Sequence, residues 1–224
     1  MENLIPDRVY DLTVELARLR SLRDEVIPPA VAAHMDQATK ALDESNAADR
    51  AVRVGDRAPD FTLPNIAGND ISLERLLNEG AVVVSFYRGI WCPFCSLELR
   101  ALQESAAEFT RLGGRLVAIS GQTPDNSLST AEKNGLTYEV LSDVGLTVAK
   151  SYGLVFTLPD YLQADYRELG HPVSKFNGTD QNTLPIPGTF VIDPAGIVRY
   201  AYVNPNYMYR ADPTAVIAAL RTLA

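Results

Sequence analysis

Apolar side chains in the first fifty residues recur at spacings of three and four, the period of an amphipathic helix. One stripe runs through residues 7–26 and consists of Val9, Leu12, Leu16, Leu19, Leu22 and Val26. Two prolines interrupt it, and a second stripe follows, made of Val31, Met35, Ala38 and Leu42. The stretch DESNAADRA then loses the pattern and resembles a linker. The sequence thus predicts a helical extension over residues 1–50, which either covers the rest of the chain or forms part of a dimer interface.

From residue 51 onward the pattern changes to apolar runs rich in β-branched residues, separated by helical segments. GAVVVSFY and RLVAIS are typical of strands buried on both faces, and the spacing predicts a helix over residues 93–112 between them. A helix from Pro124, a strand in TYEVLSD, a hairpin of GTFVID and IVRYAYV, and a helix over 213–223 follow. We therefore expect residues 51–224 to form one α/β domain with a mixed central sheet flanked by helices.

One segment, residues 157–184, is long and polar and has no clear period. Segments of this length without secondary structure are uncommon inside compact domains and are usually functional or disordered. We therefore expect this segment to be functional or flexible rather than part of the core.

The chain carries a net charge of −8. Nucleic acids and anionic membranes attract basic surfaces, so neither is expected as a partner. The N-terminus lacks the basic and apolar regions of a secretory signal, and no apolar run reaches the length of a membrane span. A cytoplasmic protein is therefore expected.

The two cysteines of the chain, Cys92 and Cys95, lie close together in FYRGIWCPFCSLEL. A structural disulfide is not expected in a reducing compartment. A zinc site needs four ligands, and the only histidines are His34 and His171, so neither a metal nor another cofactor is expected. An inert pair that serves only packing and a redox pair remain. The C-x-x-C spacing between a strand and a helix is typical of thioredoxin-like redox chemistry.

The position of the pair at the start of a helix favours the redox explanation. Pro93 fits the first helical position, so Cys92 lies where the helix dipole stabilises a thiolate, the reactive form of cysteine. Arg88 adds positive charge if its side chain folds over the pair, and is otherwise a solvated loop arginine. Cys92 follows Trp91 at an expected loop edge, whereas Cys95 lies one turn inside the helix. Cys92 is therefore predicted to have the lower pKa and to attack first.

Several motifs resemble known families. WCPFC resembles the active site of thioredoxins, whereas VGDRAPDFTLPNIAGNDISL, LSDVGLTVAKSYGL and TFVIDPAGIVRY resemble the opening, middle and end of peroxiredoxins. Together they resemble peroxiredoxin-like proteins of the alkyl hydroperoxide reductase/thiol-specific antioxidant family that carry a C-x-x-C pair. The resemblance implies a thioredoxin-like fold and an antioxidant enzyme that reduces hydroperoxides through a Cys92–Cys95 disulfide. It also implies recharging by a thioredoxin-type electron donor.

The chain departs from the peroxiredoxin motif, which is a Pro, three residues, a Thr or Ser, two residues and the peroxidatic Cys. An ungapped comparison places Arg88 on the Pro, Cys92 on the Thr and Cys95 on the peroxidatic Cys. Glu98 then matches an acidic residue that is common in that helix. This comparison assigns the first attack to Cys95, whereas the position in the helix assigns it to Cys92.

Pro187 stands just before GTFVID, where peroxiredoxins carry an Arg that holds the thiolate and the peroxide. Thioredoxins have a cis proline facing the cysteine pair at this point, so the resemblance implies a cis Ile186–Pro187 peptide against Cys92. Two alternatives to a peroxidase therefore stay open. One is a thioredoxin-like enzyme that exchanges disulfides with other proteins, and the other is a non-catalytic binding module with idle thiols.

Overall fold

A computed structural model describes residues 5, 6, 8, 9 and 11–223 of the chain. Its helices are α1 (Leu12–Val26), α2 (Pro29–Glu44), α3 (Leu73–Leu77), α4 (Pro93–Arg111), α5 (Pro124–Asn134), α6 (Thr147–Ser151), α7 (Asp160–Glu168), α8 (Val173–Asn177) and α9 (Pro213–Arg221). Its strands are β1 (Thr62–Pro64), β2 (Asp70–Ser72), β3 (Ala81–Phe86), β4 (Gly114–Ser120), β5 (Glu139–Ser142), β6 (Val155–Thr157), β7 (Thr183–Pro185), β8 (Gly188–Ile192) and β9 (Val198–Val203). None of the described helices is both long and apolar enough to cross a bilayer.

The central sheet has five strands in the order β5-β4-β3-β8-β9. β3, β4 and β5 run parallel, and β8 pairs antiparallel with both β3 and β9. In the middle strand Val84 lies opposite Val117 on one side and Phe190 on the other. Two small antiparallel pairs, β1-β2 and β6-β7, lie outside this sheet. The mixed α/β class predicted from the sequence is confirmed.

Strand β3 is buried along its whole length, as its continuous apolar run predicts. Its residues alternate between the two faces of the sheet. Val82, Val84 and Phe86 belong to the core on one face. Val83 belongs to a second core on the other face, where it packs with Phe109 of α4. The end of β3 is therefore held firmly on both sides, and the chain leaves it directly toward the cysteines.

The first two helices cover other helices of the chain. α1 contacts α4, and α2 contacts α7. Leu12, Leu16 and Leu19 of the predicted stripe are buried in one cluster with residues of α4. Met35 of α2 is buried with Leu162 of α7. The division of the chain into an extension and a separate domain stays a prediction.

The ends of the extension differ from the sequence prediction. The first helix begins at Leu12, with the Asp11 side chain accepting a hydrogen bond from the N–H of Val14 as its N-cap. Residues 7 and 10, which fall in the predicted helical stripe, lie outside the described residues. The stretch expected to be a linker contains a 3₁₀ turn at Ala47–Arg50, and Ala47 is buried. Small apolar residues pack there without any visible period, which explains why the pattern was missed.

The expectation for residues 157–184 is wrong in one respect. The segment is not irregular, because it contains α7 and α8 and leads into β7. Leu162, Tyr166 and Val173 are buried in it, so it contributes to the core. Two short helices with polar outer faces bury too few positions to show a clear period, and the sequence therefore looked featureless.

The packing of α1 can be tested with a pair of substitutions. Leu19 is fully buried, whereas Val14 on the same helix is 58% exposed. We expect Leu19→Ala to lower the free energy of unfolding by about 2–5 kcal/mol, because it removes buried methyl groups and leaves a cavity. Val14→Ala should change it by less than about 0.5 kcal/mol. Urea unfolding measures both, and equal effects would contradict the packing described here.

Candidate active site

The chain geometry after β3 brings both cysteines to the start of α4. Cys92 is the N-cap of this helix in an extended conformation, and Pro93 occupies its first turn, as predicted. The Cys92 carbonyl accepts hydrogen bonds from the N–H groups of Cys95 (3.0 Å) and Ser96 (3.1 Å). Both sulfurs therefore lie near the positive end of a 19-residue helix.

The loop that leads to Cys92 is anchored by hydrogen bonds from its backbone. The N–H of Tyr87 donates to the carbonyl of Ile119 (3.0 Å), which continues the pairing of β3 with β4. The N–H of Ile90 donates to Oε1 of the buried Gln122 (2.8 Å). Gly89 leaves room for Trp91, because a Cβ atom there would lie 2.5 Å from Nε1 of the indole. The loop thus has little freedom where the thiols are placed.

Both cysteines are free thiols and both are buried, Cys92 at 2% exposure and Cys95 at 0%. The expectation that Cys92 lies at an accessible loop edge is wrong. Side chains from α1, α2 and α7 lie over it and leave a cavity of about 260 Å³ that is partly open to solvent, whose lining includes Val26, Met35 and Tyr166. Among the described residues, Cys92 lines this cavity and Cys95 does not.

The two thiols have opposite pKa shifts. Burial would raise the pKa of Cys92, but a hydrogen bond from Cys95 and the charges of Arg88 and Arg210 outweigh it and lower that pKa to about 6. Burial raises the pKa of Cys95 well above its usual value, and the hydrogen bond to Cys92 raises it further. At neutral pH the negative charge therefore lies on Cys92 and the proton on Cys95. These shifts favour the predicted order of the two pKa values, whereas the order of attack stays a prediction.

Arg88 folds over the pair and is not a solvated loop arginine. Its side chain is buried and lines the cavity beside Cys92. The guanidinium carbon lies 4.4 Å from the ring centre of Tyr207 and 5.1 Å from that of Trp91, both within the range of cation–π attraction. Nη2 donates a hydrogen bond to the hydroxyl of Tyr166 (2.7 Å). The backbone N–H of Arg88 points to Sγ of Cys95 at 3.4 Å.

Trp91 forms part of the wall that covers Cys92. Its ring meets that of Tyr166 edge to face at 5.4 Å and stacks on the imidazole of His171 at 6.1 Å. Both partners lie in residues 157–184, for which the sequence predicts no regular secondary structure. The segment over residues 157–184 is therefore part of the site, as one of the two expectations for it proposed.

The sequence patterns do not identify Arg210, a buried arginine that lies far from the cysteines along the chain. Nη2 of Arg210 lies 3.2 Å from Sγ of Cys95, and Nε lies 2.7 Å from Oε2 of Glu98. Both side chains of this ion pair are 1% exposed. From the sequence, Glu98 is only a match to an acidic residue of the peroxiredoxin helix. Arg210 lies 115 residues after Cys95, in a loop without a periodic pattern. Its one sequence signal is a charge within the aromatic stretch NYMYR.

Glu98 is a buried carboxylate on the same helix as the cysteines. Burial raises its pKa to about 7, although the charge of Arg210 pulls in the opposite direction. The hydroxyl of Thr189 on β8 donates to Oε1 of Glu98 at 3.2 Å. Cys95, Glu98 and Arg210 thus form one buried polar cluster that does not line the cavity.

Pro187 does not have the expected geometry. No peptide bond among the described residues is cis, so the prediction of a cis Ile186–Pro187 bond is wrong. The N–H of Ile186 donates to the carbonyl of Leu154 (2.7 Å), and the chain runs in extended form from β7 into β8. Pro187 lines a second cavity of about 220 Å³, which shares Arg88 with the first but contains neither cysteine. The described residues also contain no cluster of three or more His, Cys, Asp or Glu side chains able to hold a metal.

A mixed sheet with a buried dithiol at the junction of its central strand and a long helix defines a thioredoxin-like α/β protein. Residues 54–201 match the AhpC/TSA family, and the chain belongs to this family. It is 30% identical over 153 residues to Peroxiredoxin Q, chloroplastic, of Populus jackii, covering 68% of this chain and 61% of that protein. The protein of the same name from Sedum lineare is also 30% identical, with 70% of its length covered. The chain thus spans about three fifths of the Populus relative.

The chain is also similar in fold to solved structures. Peroxidoxin BcpB from Mycobacterium tuberculosis superposes with a TM-score of 0.63 at 27% identity, covering 77% of this chain and 99% of that one. Peroxiredoxin Q from Xanthomonas campestris has a TM-score of 0.56 at 19% identity, with coverage of 72% and 90%. The second similarity concerns the fold alone.

The low pKa of Cys92 predicts selective alkylation by iodoacetamide. Reaction at Cys92 should rise with pH around a midpoint near 6, because only the thiolate reacts, and should fall below it as the thiol becomes protonated. Cys95 should stay unmodified at neutral pH. Peptide mass spectrometry after pulses between about pH 4 and pH 9 measures both sites, with urea-unfolded protein as the control, in which both midpoints should approach about 8.5. A folded-state midpoint above 8 for Cys92 would contradict the described electrostatics.

Proposed function

We propose that the chain is a thiol-based antioxidant peroxidase that reduces hydroperoxides through a Cys92–Cys95 dithiol/disulfide cycle. The observation that carries this proposal is the placement of the pair. Cys92 is a low-pKa thiol on the wall of a partly open cavity, and its partner Cys95 lies one turn further along the helix. Membership of the AhpC/TSA family supports the same chemistry.

In the proposed cycle the Cys92 thiolate attacks the terminal oxygen of a hydroperoxide. The O–O bond breaks, the leaving alkoxide takes up a proton to become an alcohol, and Cys92 becomes a sulfenic acid. Cys95 then attacks the Cys92 sulfur, the S–O bond breaks, and water and a disulfide form. Two electrons from a thioredoxin-type donor restore the two thiols.

Arg88 is proposed to support the first step from inside the cavity. Its buried guanidinium stabilises the Cys92 thiolate through its charge, and it can donate hydrogen bonds to the peroxide oxygens as negative charge develops on them. The aromatic rings around it fix its position at the cavity wall. Pro93 supports the site by starting the helix, and Trp91 by shielding Cys92 from bulk water.

The burial of both thiols favours a small substrate over a protein disulfide. A hydroperoxide fits a cavity of about 260 Å³, whereas a protein disulfide cannot approach a sulfur that is 2% exposed unless the covering side chains move. The trans Ile186–Pro187 peptide also removes one motif that favoured protein-disulfide exchange. A non-catalytic module with idle thiols is disfavoured, because inert buried cysteines normally have raised rather than lowered pKa values. Pro187 is therefore proposed only as part of the neighbouring cavity wall.

Recharging by a protein donor is part of the proposal. The disulfide would form under the cover of α1, α2 and α7, so the donor must reach it after part of this cover has moved. The relatives are named peroxiredoxins, and those from plants are chloroplastic. The cytoplasmic location expected for this chain stays a prediction.

Peroxide consumption and protein-disulfide reduction, measured side by side on one sample, test the proposed function. Reduced protein should have two titratable thiols, and about one equivalent of hydroperoxide should remove both through an intramolecular bridge. With thioredoxin, its reductase and NADPH present, the chain should consume hydroperoxide continuously. Reduction of insulin disulfides without peroxide turnover would instead support the protein-disulfide alternative, and loss of neither thiol would support idle cysteines.

Serine variants identify the attacking sulfur. Cys95→Ser should accumulate a sulfenic acid at Cys92, detected by dimedone labelling, because the resolving thiol is missing. Cys92→Ser should be nearly inert toward peroxide, with a rate at least about 100-fold lower, because the remaining thiol is protonated and does not line the cavity. Sulfenic acid formation at Cys95 at the wild-type rate would reverse the assignment.

A homodimer formed through the N-terminal helices is a second part of the proposal. Val14 on α1 is an apolar side chain that is 58% exposed, whereas Leu12, Leu16 and Leu19 on the same helix are buried. If this face joins two subunits, Val14→Glu should halve the mass measured by light scattering, because a buried charge opposes association. Leu128→Glu, at a 38% exposed site on α5, is the matched control. Deletion of residues 1–48 should act like Val14→Glu, and an unchanged mass with an intact fold in both variants would leave the helices as a local cover.

A further inference from the structure

Arg210 is the last residue of an aromatic segment between β9 and α9 that reaches into the site. The guanidinium uses its three nitrogens in three directions. Nη2 contacts Sγ of Cys95 at 3.2 Å, and Nε pairs with Glu98 at 2.7 Å. Nη1 donates to the backbone carbonyls of Tyr207 and Tyr209. With a side chain that is 1% exposed, Arg210 can hardly rotate away from the sulfur.

The contact with Cys95 matters because this thiol is otherwise poorly suited to react. Burial and the charge on Cys92 both favour the protonated form of Cys95. Disulfide closure, however, requires the Cys95 thiolate. After Cys92 has become a sulfenic acid, its negative charge is gone, and charged groups that still act on Cys95 are Arg88, Arg210 and Glu98. The positive charge of Arg210 then acts on the Cys95 sulfur at hydrogen-bond distance.

We propose that Arg210 is a catalytic residue for disulfide closure, in which its guanidinium stabilises the Cys95 thiolate as this attacks the oxidised Cys92. The proposal rests on the Cys92–Cys95 cycle described above. Nothing in the sequence motifs around the cysteines points to this arginine. Glu98 is a positioning residue in the same arrangement, because its carboxylate fixes the direction of the guanidinium and partly neutralises its charge.

The step balances without any further reagent. Cys95 loses its proton, and its sulfur donates an electron pair to the sulfur of the Cys92 sulfenic acid. The S–S bond forms while the S–O bond breaks, and the leaving hydroxide takes up one proton to become water. The hydroperoxide supplied the oxidising equivalents when Cys92 was oxidised, so two thiols and one hydroperoxide give one disulfide, one alcohol and one water.

The direct test measures the pKa of Cys95 in a Cys92→Ser background, where no second thiol titrates. Thiolate absorbance against pH gives the value without any peroxide. Arg210→Gln should raise this pKa by about one unit or more, because an opposite charge at this distance is lost. Arg210→Lys should restore much of the shift. Glu98→Gln should move the pKa in the opposite direction, downward, because the carboxylate no longer opposes the cation.

The opposite shifts in the pKa of Cys95 distinguish an electrostatic role of Arg210 from a purely structural one. If Arg210 only braced the fold, Arg210→Gln and Glu98→Gln would break the same ion pair and shift Cys95 in the same direction, and Arg210→Lys would rescue nothing. Arg100→Gln is the matched control, since Arg100 lies on α4 and bonds Asn134 and backbone carbonyls. It should leave the pKa of Cys95 unchanged. Thermal unfolding followed by circular dichroism verifies that each variant is folded.

A kinetic measurement tests the same assignment in protein with both cysteines. Rapid mixing with hydroperoxide should show disulfide closure slowed by about tenfold or more in Arg210→Gln, since one pKa unit corresponds to a tenfold change. Sulfenic acid formation should slow less than closure, because Arg88 and the hydrogen bond from Cys95 still lower the pKa of Cys92. Equal closure rates in Arg210→Gln and wild type, or an unchanged pKa of Cys95, would overturn the proposal. If the wild-type chain consumes no hydroperoxide, the proposed function fails, while the pKa measurement still decides the action of Arg210 on Cys95.

Discussion

A negative charge on a sulfur that water hardly reaches is the constraint around which this site is arranged. Burial alone would keep the Cys92 thiol protonated. The start of a long helix, a hydrogen bond donated by the neighbouring Cys95 thiol, and two buried guanidinium groups together reverse that preference. Each of these groups is itself buried, so the charge of Cys92 depends on the loop after β3, on α4 and on the segment between β9 and α9.

The elements that cover the site leave one of the two thiols next to a cavity. α1 and α2 lie against α4 and α7, and between them a cavity leads to Cys92 but not to Cys95. Cys92 thus faces the cavity, whereas Cys95 faces the buried ion pair of Glu98 and Arg210. The two arginines are separated in the same way, because Arg88 lines the cavity and Arg210 contacts the sulfur behind it.

The aromatic residues between these elements connect the cover to the chemistry. Tyr166 from α7 holds the guanidinium of Arg88, and Tyr207 stacks against the same group. Tyr207 also packs edge to face on Phe94, two residues after the first cysteine. A movement of α7 or of the segment that contains Tyr207 would therefore change both access to Cys92 and the position of its counter-charge. In the proposed cycle, such a movement would allow a donor to reach and reduce the buried disulfide.

Local features of the site were readable from the sequence because they lie within one helix turn. The C-x-x-C spacing, the proline at the start of α4 and the strand before it define the dipole and the sulfur pair without reference to distant residues. The burial of Cys92, the trans peptide at Pro187 and the contact of Arg210 with Cys95 across 115 residues were decided only by tertiary structure. Such contacts depend on which faces of separate elements pack together, and no local period or motif records that choice.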